Sequence, residues 1–153
     1  MTKIEDFKII GISTITTNEN GKAASDLGLL WQRFFEENII GKIENKVSND
    51  IYAIYTDYES DFTGKYHTII GLKVNSLDNI PEDLIGREFK NDTFVKHTAK
   101  GEMPNAVVKT WKEIWDNNTT LNRKYTYDFE VYTEKSQNGE NSEVDIYIAT
   151  KTA

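Results

Sequence analysis

Two stretches of this 153-residue chain occur twice. Ile54-Tyr55-Thr56-Asp57 returns as Val131-Tyr132-Thr133-Glu134, a shift of 77 residues (132 − 55). Upstream, Trp31 with Phe35 returns as Trp111 with Trp115, a shift of 80 (111 − 31). Each aromatic pair is spaced i and i+4, so its members share one face of a helix. An internal repeat constrains architecture more than any single motif, because both copies must form the same supersecondary unit and bury their apolar faces together. Here it predicts two copies of a strand–helix–strand–strand unit enclosing a cleft along a shared axis.

The local patterns agree. Residues 7–15 are rich in β-branched side chains (Ile9, Ile10, Ile12, Thr14, Ile15) and read as a strand, which Asn18-Glu19-Asn20-Gly21 breaks. Over residues 23–38 the apolar Leu27, Leu30, Trp31, Phe34 and Phe35 form one helical stripe. Residues 51–58 and 66–74 read as an antiparallel hairpin. Residues 78–81 are too short a connection to be a flexible linker. The second copy runs as a strand at 88–99, a helix opened by Pro104 with a stripe of Val107, Val108, Trp111, Ile114 and Trp115, and a closing hairpin of 125–135 and 143–151. The expected fold class is α+β: duplicated βαββ units forming a mainly antiparallel eight-stranded sheet, with two helices on one face and a central cleft. One domain spans residues 1–153, with the first repeat at about 5–75 and the second at about 87–151.

Composition limits the chemistry. With 38% hydrophobic and 28% charged residues the chain is globular. There is no Cys, which excludes disulfides, thiolate nucleophiles and Cys-based metal sites and fits a cytoplasmic location. The net charge of −7, with no basic stripe, disfavours direct nucleic-acid binding. No signal peptide and no membrane-length apolar run is evident. His67 and His97 lack neighbours at metal-ligand spacing, no Gly-x-Ser-x-Gly elbow or phosphate loop occurs, and no metal or cofactor is expected. The acidic loop Asp57-Tyr58-Glu59-Ser60-Asp61 lacks regular calcium-loop spacing and reads as a solvated turn.

Glu130 is the acid of interest. Strand alternation puts Asp128, Glu130 and Tyr132 on one face and Phe129 and Val131 on the other. The 77-residue shift matches Glu130 to Ala53 and Tyr132 to Tyr55, so the repeat breaks where a small apolar residue gives way to an acid. Two readings stand. Glu130 is a surface acid on a solvated face, or it is a desolvated charge in the cleft awaiting a cationic partner. Trp31, Phe35 and Trp111 likewise belong either to core or to a pocket wall. Tyr147, within Asp145-Ile146-Tyr147-Ile148-Ala149, is expected near Glu130 as a hydroxyl donor, or else as half of a cross-strand pair.

Six segments in this order and spacing resemble the GyrI-like, or bacterial effector-binding, domain family, also found as the ligand-sensing half of AraC- and MerR-type regulators. They are Trp31-Gln32-Arg33-Phe34, Tyr55-Thr56-Asp57-Tyr58-Glu59-Ser60-Asp61, Ile70-Gly71-Leu72-Lys73-Val74, Trp111-Lys112-Glu113-Ile114-Trp115, Asp128-Phe129-Glu130-Val131-Tyr132 and Asp145-Ile146-Tyr147-Ile148. The likeness runs from about Phe7 to Lys151 and is greatest to stand-alone members, including the integron-cassette effector-binding proteins. It implies a ligand cleft between the halves, with Glu130 as the acid that meets hydrophobic cations and Trp31, Phe35, Tyr55, Trp111, Tyr132 and Tyr147 as its walls. The function so implied is multidrug-type binding of hydrophobic, amphipathic or cationic small molecules, with a role in transcriptional regulation or drug sensing and a separate regulator as partner. The alternative it implies is hydrolysis of strained electrophiles with Glu130 as general base. Binding without catalysis is the expectation; the ligand's identity and the oligomeric state are left open.

Overall fold

The computed structural model describes residues 2–60 and 63–151. In chain order the elements are β1 (Thr2–Ile4), β2 (Phe7–Thr17), α1 (Lys22–Glu36), the single turn α2 (Ile39–Lys42), β3 (Lys46–Thr56), β4 (Lys65–Val74), β5 (Ile85–Phe89), β6 (Asp92–Lys100), α3 (Asn105–Asp116), the single turn α4 (Asn118–Leu121), β7 (Arg123–Tyr132) and β8 (Glu143–Thr150). The eight strands form one antiparallel sheet in the order β1-β6-β8-β7-β3-β4-β2-β5.

Six of these strands follow the sequence pattern. The other two come from β1, too short to show a period, and from a break in the strand expected over 88–99. At Asn91 the backbone N–H and the side-chain amide both donate to Asp6 Oδ1, at 2.7 and 2.9 Å, and fix a corner there. The chain then leaves the β2 edge, where β5 pairs, and crosses to β1 and β8, where β6 pairs. Each copy is therefore a ββαββ unit whose short leading strand is lent to the other copy's edge: β1 lies on β6 and β5 on β2.

The sheet is strongly curled. β2 and β7 are three strand positions apart, roughly 14 Å in a flat sheet at 4.7–4.9 Å per step. Yet the rings of Phe7 and Phe129 are 5.5 Å apart. The concave face closes around an aromatic core that includes Phe7, Phe89, Phe94, Tyr127 and Phe129. Both long helices pack on the convex face. α1 buries Leu30 and Phe34 against Ile10, Ile12, Ile70 and Leu72. α3 buries Ala106, Val107 and Ile114 against Val144, Ile146 and Ile148. Side chains diverge on a convex surface, so two helices seated over separate halves leave a gap between them. That gap is the cleft.

Gly11 and Gly71 are ladder partners between β2 and β4. A Cβ at Gly71 would stand 2.3 Å from the carbonyl oxygen of Ile10, and one at Gly11 would stand 2.1 Å from that of Ile70. The bare pair allows the close backbone approach at this bend. Gly71→Ala is expected to cost about 3 kcal/mol, the upper range for overpacking. Urea unfolding checks this: the midpoint should fall with an unchanged m-value. A midpoint equal to that of the wild type would contradict the close approach.

Candidate functional site

The site forms where the two repeats meet. β3 and β7 pair with Ala53 opposite Glu130 and Tyr55 opposite Asp128. The 77-residue shift carries position 53 onto 130 (53 + 77 = 130), so these repeat-related residues are also ladder partners. The approximate twofold axis of the repeat passes between them. Glu130 thus occupies the centre of the molecule's symmetry, facing the helices, with only a methyl group across from it.

Glu130 is 1% exposed, which excludes the reading of it as a surface acid. Three neutral donors hold the carboxylate. The Tyr132 hydroxyl donates to Oε1 at 2.5 Å, the Trp111 indole N–H to Oε2 at 2.6 Å, and the Tyr55 hydroxyl to Oε2 at 3.0 Å. Among the described residues no Lys, Arg or His forms an ion pair with it. Burial raises its pKa above the ordinary carboxylate value, while the three hydrogen bonds act the other way without cancelling the shift. Burial, followed by the nearby Glu130 charge, pushes the hydroxyls of Tyr55 and Tyr132 well above the ordinary tyrosine value. Both therefore remain protonated donors at neutral pH.

Above this floor lies a cavity of about 760 Å³ between α1 and α3. The helix tryptophans pack crosswise over it. Trp31 of the first copy meets Tyr132 of the second at 4.9 Å and 74°, and Trp111 of the second meets Tyr55 of the first at 5.5 Å and 82°. Phe35 stacks on Trp31 at 6.0 Å and, being 58% exposed, stands at the mouth. The structure thus gathers Glu130, Tyr132, Tyr55, Trp31, Trp111 and Phe35 around one cavity.

Tyr147 is elsewhere, which corrects the expectation that it approaches Glu130. The β7–β8 register sets Glu130 opposite Ile146 and Phe129 opposite Tyr147. Tyr147 consequently lies on the concave face, stacked on Phe129 at 4.8 Å and 17°. A shift of one residue in a ladder changes the face.

Sequence reasoning also missed part of the wall. Tyr58, Tyr66 and Arg123 line the cavity. Behind them Asp128, fully buried, accepts from Arg123 Nη2 at 2.8 Å, from the Tyr58 hydroxyl at 2.5 Å and from the Ala149 N–H at 2.8 Å. Arg123 shares the face of Asp128 because β7 bulges between them, with Tyr125 at φ 59°. The parity of Asp128 with Glu130 signalled the acid; nothing in the sequence signalled the bulge.

Of the acidic loop, Asp57 accepts from Nη1 and Nη2 of Arg87, at 2.6 and 2.7 Å, and this pairing holds its pKa down at about 2. Asp61 lies outside the described residues. Among the described residues no three His, Asp or Glu side chains are grouped as metal ligands.

Two interlocked ββαββ units around a central cleft make up the GyrI-like effector-binding fold. The model of the Cass2 family, integron-associated effector binding protein, matches residues 1–150, and the chain belongs to that family. The integron cassette protein VCH_CASS2 from the mobile metagenome of Vibrio cholerae is 31% identical, with a TM-score of 0.76 over 98% of this chain and 94% of that one. SAV2435, solved bound to tetraphenylphosphonium, shares the fold at a TM-score of 0.81 and 20% identity, over 98% of this chain and 92% of that one. The Bacillus subtilis (strain 168) protein YobU, described as a candidate transcriptional regulator, is 26% identical over 124 residues, 80% of this chain and 78% of its own length.

The raised pKa of Glu130 has a consequence for stability. The folded state holds this proton more tightly than the unfolded chain does. The resulting stabilisation is complete below about pH 4.3, the ordinary Glu value, and is lost as pH rises through the raised folded value. Glu130→Gln removes this titration. The stability of wild type minus that of the variant should therefore fall as pH rises from about 4 to neutrality, read by urea unfolding at each pH. A difference that stays flat or rises would contradict the burial of an unpaired carboxyl.

Proposed function

We propose that this protein is an effector-binding protein for hydrophobic organic cations, taken up in the cleft over Glu130. The observation that carries this reading is a carboxylate buried at the floor of an aromatic cavity with three neutral donors and no cationic partner among the described residues. A positive charge brought to Oε1 or Oε2 would offset the desolvation of the anion. Trp31, Trp111, Tyr55 and Tyr132 would add cation–π attraction of about 0.5–2 kcal/mol per ring. Phe35 would close over the ligand at the mouth. The bound tetraphenylphosphonium of SAV2435 supports the ligand class, and the description of YobU supports a role in transcriptional regulation; drug sensing through a partner regulator is the form of that role proposed for this chain. A cytoplasmic location suits that role; no helix among the described residues is long and apolar enough to cross a membrane. Hydrolysis with Glu130 as general base is the weaker reading, because three donors already occupy its oxygens where an attacking water would have to be held.

Calorimetric titration of methyltriphenylphosphonium against the neutral triphenylphosphine oxide tests the charge role. For the wild type a micromolar Kd, about −8 kcal/mol, is expected for the cation. Glu130→Gln should weaken the cation at least about tenfold and leave the oxide within about twofold, since only the charged ligand loses its counter-ion. Equal loss for both ligands, or loss for neither, would contradict the reading.

A further inference from the structure

The walls of the cleft obey the repeat. Trp31 and Trp111, Phe35 and Trp115, and Leu27 and Val107 are pairs related by the 80-residue shift, and all six residues line the cavity. Their arrangement matches across the axis, as the crosswise Trp31–Tyr132 and Trp111–Tyr55 contacts show. Glu130, at the axis, is the one place on the floor where an acid faces the cavity from this ladder pair, its mate being Ala53. The attracting charge is therefore central, with aromatic walls on either side; Arg123, the cation in the lining, is paired with Asp128.

The two helix-side walls differ in side-chain size. The cavity residues Ala23, Ala24 and Gly28 of the first copy correspond, by the same shift, to Met103, Pro104 and Val108 of the second. Small side chains on the α1 side leave more room than their bulkier counterparts on the α3 side. A Cβ built on Gly28 meets nothing within 4 Å, so the space beside it is open.

We propose that the preferred ligand is a two-armed organic monocation, its charge at the middle of the molecule and an aromatic arm on each side, with the larger arm against the Ala23–Ala24–Gly28 wall of α1. This rests on the cation-binding reading above and specifies its ligand class. A cation with its charge at one end would fill only one side of the cavity when its charge reaches Glu130, and would leave the other side without apolar contact.

Two isomeric quaternary ammonium ions test the central charge. Dibenzyldimethylammonium carries its nitrogen between two rings, whereas (biphenyl-4-ylmethyl)trimethylammonium has the same formula with its nitrogen at one end. The first should bind wild-type protein about tenfold tighter, a difference of roughly 1.4 kcal/mol. Gly28→Val, which copies the Val108 side chain onto the α1 wall, tests the arm assignment. It should weaken benzyl(2-naphthylmethyl)dimethylammonium by about tenfold and leave dibenzyldimethylammonium within about twofold, as expected where only the larger arm meets the added methyls. Circular dichroism melts of the variant confirm folding, and a Val introduced at an exposed helical Gly with open space beside it should not lower the midpoint. Equal affinity of the two isomers would overturn the central-charge inference while leaving cation binding intact. Equal effects of Gly28→Val on both two-armed ions, or an effect on neither, would overturn the arm assignment. If none of the quaternary ions binds while methyltriphenylphosphonium does, the two-armed class fails; if no cation of either kind binds, the functional reading itself fails.

Discussion

A carboxylate out of water, with no counter-ion among the described residues, is the interaction around which this molecule is organised. Burial of such an ion costs several kcal/mol after relaxation. Hydrogen bonds to a charged group return about 1.5–3 kcal/mol each. Tyr132, Trp111 and Tyr55 offset part of that cost, and burial still raises the pKa of Glu130. Burial thus disfavours the ionised state of the free site relative to an exposed carboxylate, and an organic cation is the partner that would relieve it. The buried Asp128, in contrast, is satisfied within the chain by Arg123.

Duplication explains why such a site can form without collapsing. The curled sheet directs one aromatic core inward and seats the two helices on the outside over separate halves, and Trp31 and Trp111 reach from them toward the seam between β3 and β7. Because Ala53 and Glu130 are both repeat mates and ladder partners, a single substitution in one copy places a single charge on the axis. A cleft built from two equal halves therefore acquires one sign and one centre. Its walls are unequal in side-chain size: Ala23, Ala24 and Gly28 on α1 stand where Met103, Pro104 and Val108 stand at and just before α3.

Much of this was legible in the sequence, because period and composition carry it. The repeated Tyr-Thr and Trp-x-x-x-aromatic segments gave the duplication, the convergence of Trp31 and Trp111 and the broken symmetry at Glu130. What could not be read depends on ladder register and backbone irregularity. Tyr147 has the composition of a pocket residue, but its pairing with Phe129 turns it to the concave core. Arg123 reaches the cavity only through the bulge in β7. β1 is three residues long, and the separation of β5 from β6 depends on a corner tied by Asp6, more than eighty residues distant in sequence. Three residues show no period, and an 85-residue contact has no local trace.

The most direct test of the charge at the axis is carbon-13 NMR of the Glu130 side-chain carboxyl, titrated with pH in the free protein and at saturating methyltriphenylphosphonium. A free-protein midpoint above the ordinary Glu value of about 4.3 is expected, moving to lower pH when the cation is bound, because a ligand that favours the anion and a proton that removes it must oppose each other. A midpoint that is ordinary in the free protein, or that does not move when the cation binds, would contradict a central role for this carboxylate.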